Sequence, residues 1–303
     1  LLLCRIDVHD LPLAKLERKS ATTLVKCPRF HPMKLTHTQI DSFRRHGYLA
    51  VPGFFSASET TALQADISRL KRNGFLRNVA TAGDGKTPAT TKQNLQLCPA
   101  NFYSTLIRAL PFAPKVLDAV THLIGDEVTL HLDQIFLKPG KTGMGTAWHQ
   151  DNAYFKIPQP LRGTAMWIAI HDATVANGTM RVVPDVWNSA LPHERDGNSD
   201  HHIRCFPDES KAETIELKAG SVLFFCYGTP HCTGDNTTDT ERAGLAYHFL
   251  CEDQTDESFY NGGRIGNPRP RLTGPKASGG FEEYGSVIAG TWEAEVAKAA
   301  NGP

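Results

Sequence analysis

Residues 128–151 read VTLHLDQIFLKPGKTGMGTAWHQD. The stretch from Val128 to Leu137 alternates apolar and polar side chains, the period-2 signature of a β-strand. The cluster from Lys138 to Gly143 then supplies turn residues, and Trp148-His149-Gln150-Asp151 follows on Gly-rich backbone. Working outward, 164–171, 214–217, 222–225 and 242–250 are further strand-like runs. Turn clusters at Asn177-Gly178, Asp196-Gly197-Asn198, 218–220 and 234–239 separate them. Many short strands with regular turns predict a sandwich or barrel, and their spacing fits a jelly roll over about 126–255.

Upstream the signals are helical. Thr36-x-x-Gln39 and Ser56-x-x-Glu59 are capping-box patterns, with Gly47 and Gly74 placed to end the two helices. Pro114 suits a first helical position, and Gly125 closes the run after Ile124. The expectation is therefore a mainly β fold with flanking helices. One domain spans 33–303: a helical part over 33–125, a jelly-roll core, and a C-terminal wrap over 256–303 that ends in a short helix near 287–300. Residues 1–32 lack any such period. They read either as a disordered extension or as upstream translation ahead of Met33, and the second reading is preferred.

Composition narrows the function. The 303 residues carry 32 Lys and Arg against 32 Asp and Glu, without a block of five like charges. A chain with no basic field is not expected to bind nucleic acid or an acidic membrane. No apolar run approaches the ~20 residues that span a bilayer. The seven Cys are scattered and form no C-x-x-C pair, which fits reduced thiols in a cytoplasmic protein. The partner expected is a small molecule.

The chemistry is expected from three residues. In extended backbone, i and i+2 point to one face, so His149 and Asp151 offer an imidazole and a carboxylate to one point. His231, after the apolar strand 222–226, is the natural third ligand. Two His and one carboxylate on one side of a metal, with the other side open, is the non-heme Fe(II) oxygenase arrangement. The competing His131-x-Asp133 lies inside a regular strand, where it reads as a polar face. Trp148, Tyr154 and Phe155 are placed to wall the site from water. Arg242, eleven residues after His231, suits bidentate capture of a carboxylate, and Thr233 adds a hydroxyl. Singly, each has a blander reading: Trp167 as core, Arg242 as a surface ion pair, His201-His202 as a solvated loop and His248 as a core histidine.

At these residues the sequence resembles the phytanoyl-CoA dioxygenase family of Fe(II)- and 2-oxoglutarate-dependent oxygenases. The resemblance runs from about Leu35 to Asp253. It rests on 148–151, on Trp167, on Asn177-Gly178-Thr179-Met180-Arg181-Val182-Val183-Pro184, on 220–225, on His231-x-Thr233 with Arg242, and on the early 47–55 stretch, which looks like the family's opening strand. It implies a double-stranded β-helix, a cupin-like jelly roll. It also implies iron held by His149, Asp151 and His231, and 2-oxoglutarate held by Arg242 and Thr233 with Trp167 lining its pocket. Gln134, or its neighbour His131, and Lys92 fall near positions that relatives use for further 2-oxoglutarate contacts. The implied reaction consumes O2, with ascorbate as a possible reductant, and yields succinate, CO2 and a hydroxylated product. The carboxylate at 151 implies hydroxylation rather than halogenation. Asp185-Val186-Trp187 departs from the family's usual continuation after Pro184, and nothing marks a CoA site. Two other readings stand beside this one: a cupin-like metal hydrolase or isomerase, and a non-catalytic 2-oxoglutarate-binding protein.

Overall fold

A computed structural model describes residues 34–260, 269–277 and 291–300 of the chain. The reading of 1–32 falls outside these residues, as do parts of the C-terminal wrap. Helix α1 (His37–His46) starts on the Thr36–Gln39 capping box and ends at Gly47, whose φ is 80°. A Cβ on Gly47 would also meet the Thr229 hydroxyl at 2.6 Å. Helix α2 (Ala57–Arg72) starts on the Ser56–Glu59 box. Helices α3 (Thr105–Ala109) and α4 (Pro114–Ile124) follow, the latter with Pro at its first turn.

Seven strands form the large sheet. In spatial order they are β1 (Tyr48–Val51), β11 (Val222–Cys226), β6 (Gly163–Ala169), β13 (Arg242–Cys251), β4 (Val128–Lys138), β3 (Leu95–Leu97) and β2 (Arg77–Asn78). A smaller sheet runs β10 (Glu213–Ile215), β7 (Met180–Val182), β12 (His231–Thr233) and β5 (Thr146–His149). Strands β8 (Glu194–Arg195) and β9 (Ile203–Arg204) make a separate pair. This is the jelly roll expected from strand spacing.

The structure adds to the expectation at one point. The 33–125 region is not only helical: β1 lies in the 47–55 stretch that resembles the family's opening strand, and β2 and β3, which were not expected, extend the opposite edge of the large sheet. Short edge strands carry too little local period to stand out, and pairing makes them strands. Near the C-terminus, α6 (Glu257–Tyr260) precedes a described segment in which Leu272 is buried. Helix α7 (Trp292–Ala300) matches the expected terminal helix and sends the Trp292 indole N–H to Glu59.

The large sheet is buried on both faces. Ile135, Leu137, Met166, Ile168, Leu245, Tyr247 and Phe249 pack with Phe43, Leu63, Ile67, Val116 and Val120 of the helices. On the other face Trp167, Leu223, Phe225 and Ala246 join Met180 and Val182 of the small sheet. Burying each large apolar side chain contributes roughly 1.5–3 kcal/mol. A β-bulge interrupts β4: His248 of β13 pairs Leu132 but Phe249 pairs Leu130, so His131 is the extra residue.

Candidate metal centre

His149 and His231 are direct cross-strand partners in the β5–β12 pair. That register brings their ring centroids to 4.2 Å. Each ring is oriented by its own strand: His149 Nδ1 lies 2.9 Å from the Ala147 carbonyl, and His231 Nδ1 lies 3.0 Å from the Thr229 carbonyl. A neutral imidazole that donates from Nδ1 presents an Nε2 lone pair. Both Nε2 atoms face Asp151 Oδ1, at 3.7 Å and 3.9 Å. One ligand atom from each of the three residues lies within 4.8 Å of the others, as a shared metal ion requires.

Asp151 gets there by another route than the expected strand alternation. Strand β5 ends at His149, and Asp151 has helical φ and ψ of −57° and −33° at the start of α5 (Asn152–Phe155). The turn between the ligands is held by Gln150, a residue the sequence did not single out. Its side-chain amide donates to the Ser189 and Gly228 carbonyls and accepts from the Leu191 N–H.

Burial sets the charge states. It lowers His149 to about 4 and holds His231 well below its ordinary range, so both are neutral ligands near pH 7. Burial also raises Asp151 to about 7, with Oδ2 lacking any hydrogen-bond partner. A buried carboxylate facing two imidazole lone pairs fits a cation in their midst. His248 of β13 places its Nδ1 3.5 Å from Oδ2.

The triad opens into a cavity of about 380 Å³ between the sheets. At one end stand Arg242, Thr233, Trp167 and Lys138. Arg242 is not a surface ion pair: it is fully buried, its guanidinium donates to the Gly178 carbonyl, and its carbon lies 5.5 Å from the Trp167 ring centre. Burial lowers it to about 10, which leaves it charged. Gly244 is required here, because a Cβ would meet the Trp167 indole at 2.4 Å.

Lys138, which the sequence placed at the start of a turn cluster, is the cross-strand partner of Arg242 and equally buried. It donates to the Gly178 carbonyl at 3.2 Å, to Thr233 Oγ1 at 2.7 Å and to the Gly234 carbonyl at 2.5 Å. Since both cations use the Gly178 oxygen, they stand at most about 6 Å apart, two hydrogen-bond lengths. Their repulsion is then roughly 3 kcal/mol at an effective dielectric of about 20. Burial and then Arg242 push Lys138 well below its ordinary range. Among the described residues no carboxylate forms an ion pair with either cation.

Arg77, ion-paired with Asp200, also lines the cavity, and the remaining polar wall is neutral. Gln134 donates to Gln96 at 2.8 Å, and Gln96 reaches Asn94 at 3.1 Å and His202 Nε2 at 3.3 Å. His202 is buried in the wall, not solvated, while its neighbour His201 pairs with Asp200. Tyr154 and Phe155 line the cavity as expected. Trp148 does not. It packs with Val183, Cys205 and Cys232, because strand alternation turns it away when His149 faces inward. Lys92 is likewise not brought to the cavity: its half-exposed ammonium sits 2.7 Å from Asp235. The competing pair separates, since the bulge leaves His131 against Phe155 and Phe259 while Asp133 accepts from the Ala100 and Asn101 N–H groups. The 185–187 segment docks on α1, with Asp185 on His46 and the Trp187 N–H on Arg45, away from the cavity.

A jelly roll with two histidines and a carboxylate on its inner face, open on one side, has the architecture of the non-heme iron oxygenase class. The chain belongs to the phytanoyl-CoA dioxygenase (PhyH) family, whose model matches residues 43–244. The ectoine dioxygenase of Bordetella parapertussis is 25% identical over 260 residues, covering 78% of this chain and 81% of its own length. The methylphosphonate hydroxylase of Gimesia maris is 27% identical over 235 residues, covering 75% and 85%. Among solved structures, EctD from S. alaskensis in its apoform matches with a TM-score of 0.60 at 21% identity, over 75% of this chain and 81% of that one. These likenesses extend the jelly-roll fold across most of the chain. Among the described residues no helix is long and apolar enough to cross a membrane.

Proposed function

We propose that this protein is an Fe(II)- and 2-oxoglutarate-dependent dioxygenase that hydroxylates a small polar organic molecule, with succinate and CO2 as co-products. The observation that carries this is the placement of the His149–Asp151–His231 cluster and the buried Arg242 in one cavity. Bound iron would supply the oxidising chemistry, coupling decarboxylation of 2-oxoglutarate to oxygen insertion into the substrate. His149 and His231 offer neutral nitrogens, and Asp151 offers the compensating charge. Arg242 holds the far carboxylate of 2-oxoglutarate, with Thr233, Trp167 and Gln134 beside it. Tyr154 and Phe155 narrow the space above the triad and keep water out.

A metal hydrolase would need no buried guanidinium, so Arg242 favours the oxygenase over that alternative. The neutral amide and imidazole wall of Asn94, Gln96 and His202 suits a substrate that is polar without a large net charge. The relatives named for ectoine and methylphosphonate support a compact substrate rather than a CoA thioester. Protein given Fe(II), ascorbate, O2 and 2-oxoglutarate is expected to release succinate slowly even without substrate. An Asp151→Ala variant that yields as much succinate as the parent would refute the ligand assignment.

A further inference from the structure

The outer end of the cavity carries hydrogen-bond donors that the reading above leaves without acceptors, and all of them gather on residues 200–203. Gln96 Nε2 donates to Asn94 Oδ1 at 3.1 Å and to His202 Nε2 at 3.3 Å, while Gln96 Oε1 accepts from Gln134 at 2.8 Å. An amide nitrogen only donates, so His202 Nε2 is the acceptor and the imidazole proton is on Nδ1. His202 lines the cavity and is 7% exposed, and burial keeps it neutral by holding it well below its ordinary range. Among the described residues its Nδ1–H has no acceptor. Next to it, the Ile203 N–H donates to the Tyr154 hydroxyl at 2.8 Å. That leaves the Tyr154 O–H without an acceptor among the described residues, on a ring whose centre lies 6.1 Å from that of His149. Arg77 meets Asp200 through one nitrogen, which leaves the rest of its guanidinium fork. Both Asp200 oxygens are already engaged, Oδ2 by Arg77 and Oδ1 by His201 Nδ1 at 2.6 Å. The segment is held in place from the neighbouring chain, with the Thr81 N–H on the Asn198 carbonyl and the Asp200 N–H on the Val79 carbonyl, each at 3.0 Å.

We infer that Arg77, Tyr154 and His202 anchor an acidic group of the primary substrate, a carboxylate or phosphonate, at the outer end of the cavity. The inference rests on the oxygenase reading above and deepens it by naming the substrate class, a compact molecule with one oxoanion. Two neutral donors and one charged donor on a single short segment match a group that presents only acceptors. A substrate bearing its own donors would find His202 Nε2, Asn94 Oδ1, Gln96 Oε1 and Asp200 already occupied. Because Tyr154 also stands beside His149, a molecule held there reaches the metal centre with its other end. This anchor is distinct from the co-substrate contact at Arg242.

The test is anaerobic calorimetry of the full chain loaded with Fe(II) and saturating 2-oxoglutarate, titrated with pentanoate, butylphosphonate and pentanamide. Saturation occupies Arg242, and pentanamide has the shape of pentanoate without its charge. At least one anion is expected to bind about tenfold or more tighter than pentanamide, the scale of hydrogen bonds to a charged group. His202→Phe is expected to remove most of that preference. Arg77→Met, at a largely exposed side chain, should reduce it about threefold, and it covers the case in which His202→Phe does not fold. Neither change should shift 2-oxoglutarate affinity by more than about twofold. An anion preference below about twofold in the parent, or one that survives the folded variants unchanged, would overturn the anchor. So would variants that weaken 2-oxoglutarate as much as the anions, since the three donors would then serve the co-substrate. Failure of the parent to bind 2-oxoglutarate, with an anion preference that still depends on Arg77, would overturn the oxygenase reading and leave the anion site standing.

Discussion

The two faces of strand β13 carry opposite chemistry, although all ten of its residues are buried. Ala243, Leu245, Tyr247, Phe249 and Cys251 point to the helices and complete an apolar core. Arg242, Ala246 and His248 point into the cavity, with Gly244 making room for Trp167. One backbone with a period of two thus presents a face for stability and a face for binding. The lesson is that burial has two causes here. On one face it removes hydrocarbon from water. On the other it strips water from charges whose partners arrive from solution.

That contrast can be broken by substitution, starting where effects should be largest. Asp151→Ala is expected to weaken Fe(II) binding by at least about 100-fold, beyond the 10–100-fold typical of groups that only support a ligand. Its thermal unfolding without metal should stay close to that of the parent, since it removes an unpaired buried carboxyl. Phe249→Ala should behave in the opposite sense, losing about 3–5 kcal/mol in denaturant unfolding. The fraction that stays folded should keep the parent's metal affinity. If Phe249→Ala weakened metal binding as much as Asp151→Ala, the two-face division would fail.

Smaller effects sharpen the same division. Arg242→Met is expected to raise the KM for 2-oxoglutarate by about 30-fold or more, the scale for losing one partner of a buried charged contact. Metal affinity should depend on pH with a defined slope. Burial raises Asp151 to about 7, so below that pH a proton occupies the carboxyl and the metal must displace it. His149 stays neutral down to about 4, so between these values one proton is displaced and affinity falls about tenfold per unit of acidification. A slope of two protons in that window would contradict a neutral His149. Lys92→Ala, at an exposed ion pair with Asp235, should change the 2-oxoglutarate KM by less than about twofold.

Much of this was legible in the sequence because it is local. The capping boxes at Thr36 and Ser56 gave helix starts, and the period of 128–137 gave strand β4. His149, Asp151, His231 and Arg242 stood out by residue type and separation. What stayed hidden depends on pairing. Lys138 ends a strand beside Pro139 and Gly140, a pattern that reads as the start of a turn, and only the register opposite Arg242 shows it buried. His202 and Gln96 look like ordinary loop and edge residues until pairing with β4 brings Gln134 onto Gln96 and Gln96 onto His202 in the cavity wall. The bulge at His131, which separates it from Asp133, also stayed hidden, since no alternation of residue types reveals it. Trp148 was misassigned even though the same alternation that turns His149 inward turns it out.

The central claim is that the triad and the buried Arg242 act together in an oxygen-dependent reaction of 2-oxoglutarate. The most direct measurement is the fate of 18O2 supplied to the Fe(II)-loaded protein with 2-oxoglutarate, read by mass spectrometry of the succinate. The account predicts succinate carrying one labelled oxygen atom, formed only when both Fe(II) and O2 are present. Unlabelled succinate, or tight Fe(II) and 2-oxoglutarate binding with no succinate formed, would contradict it.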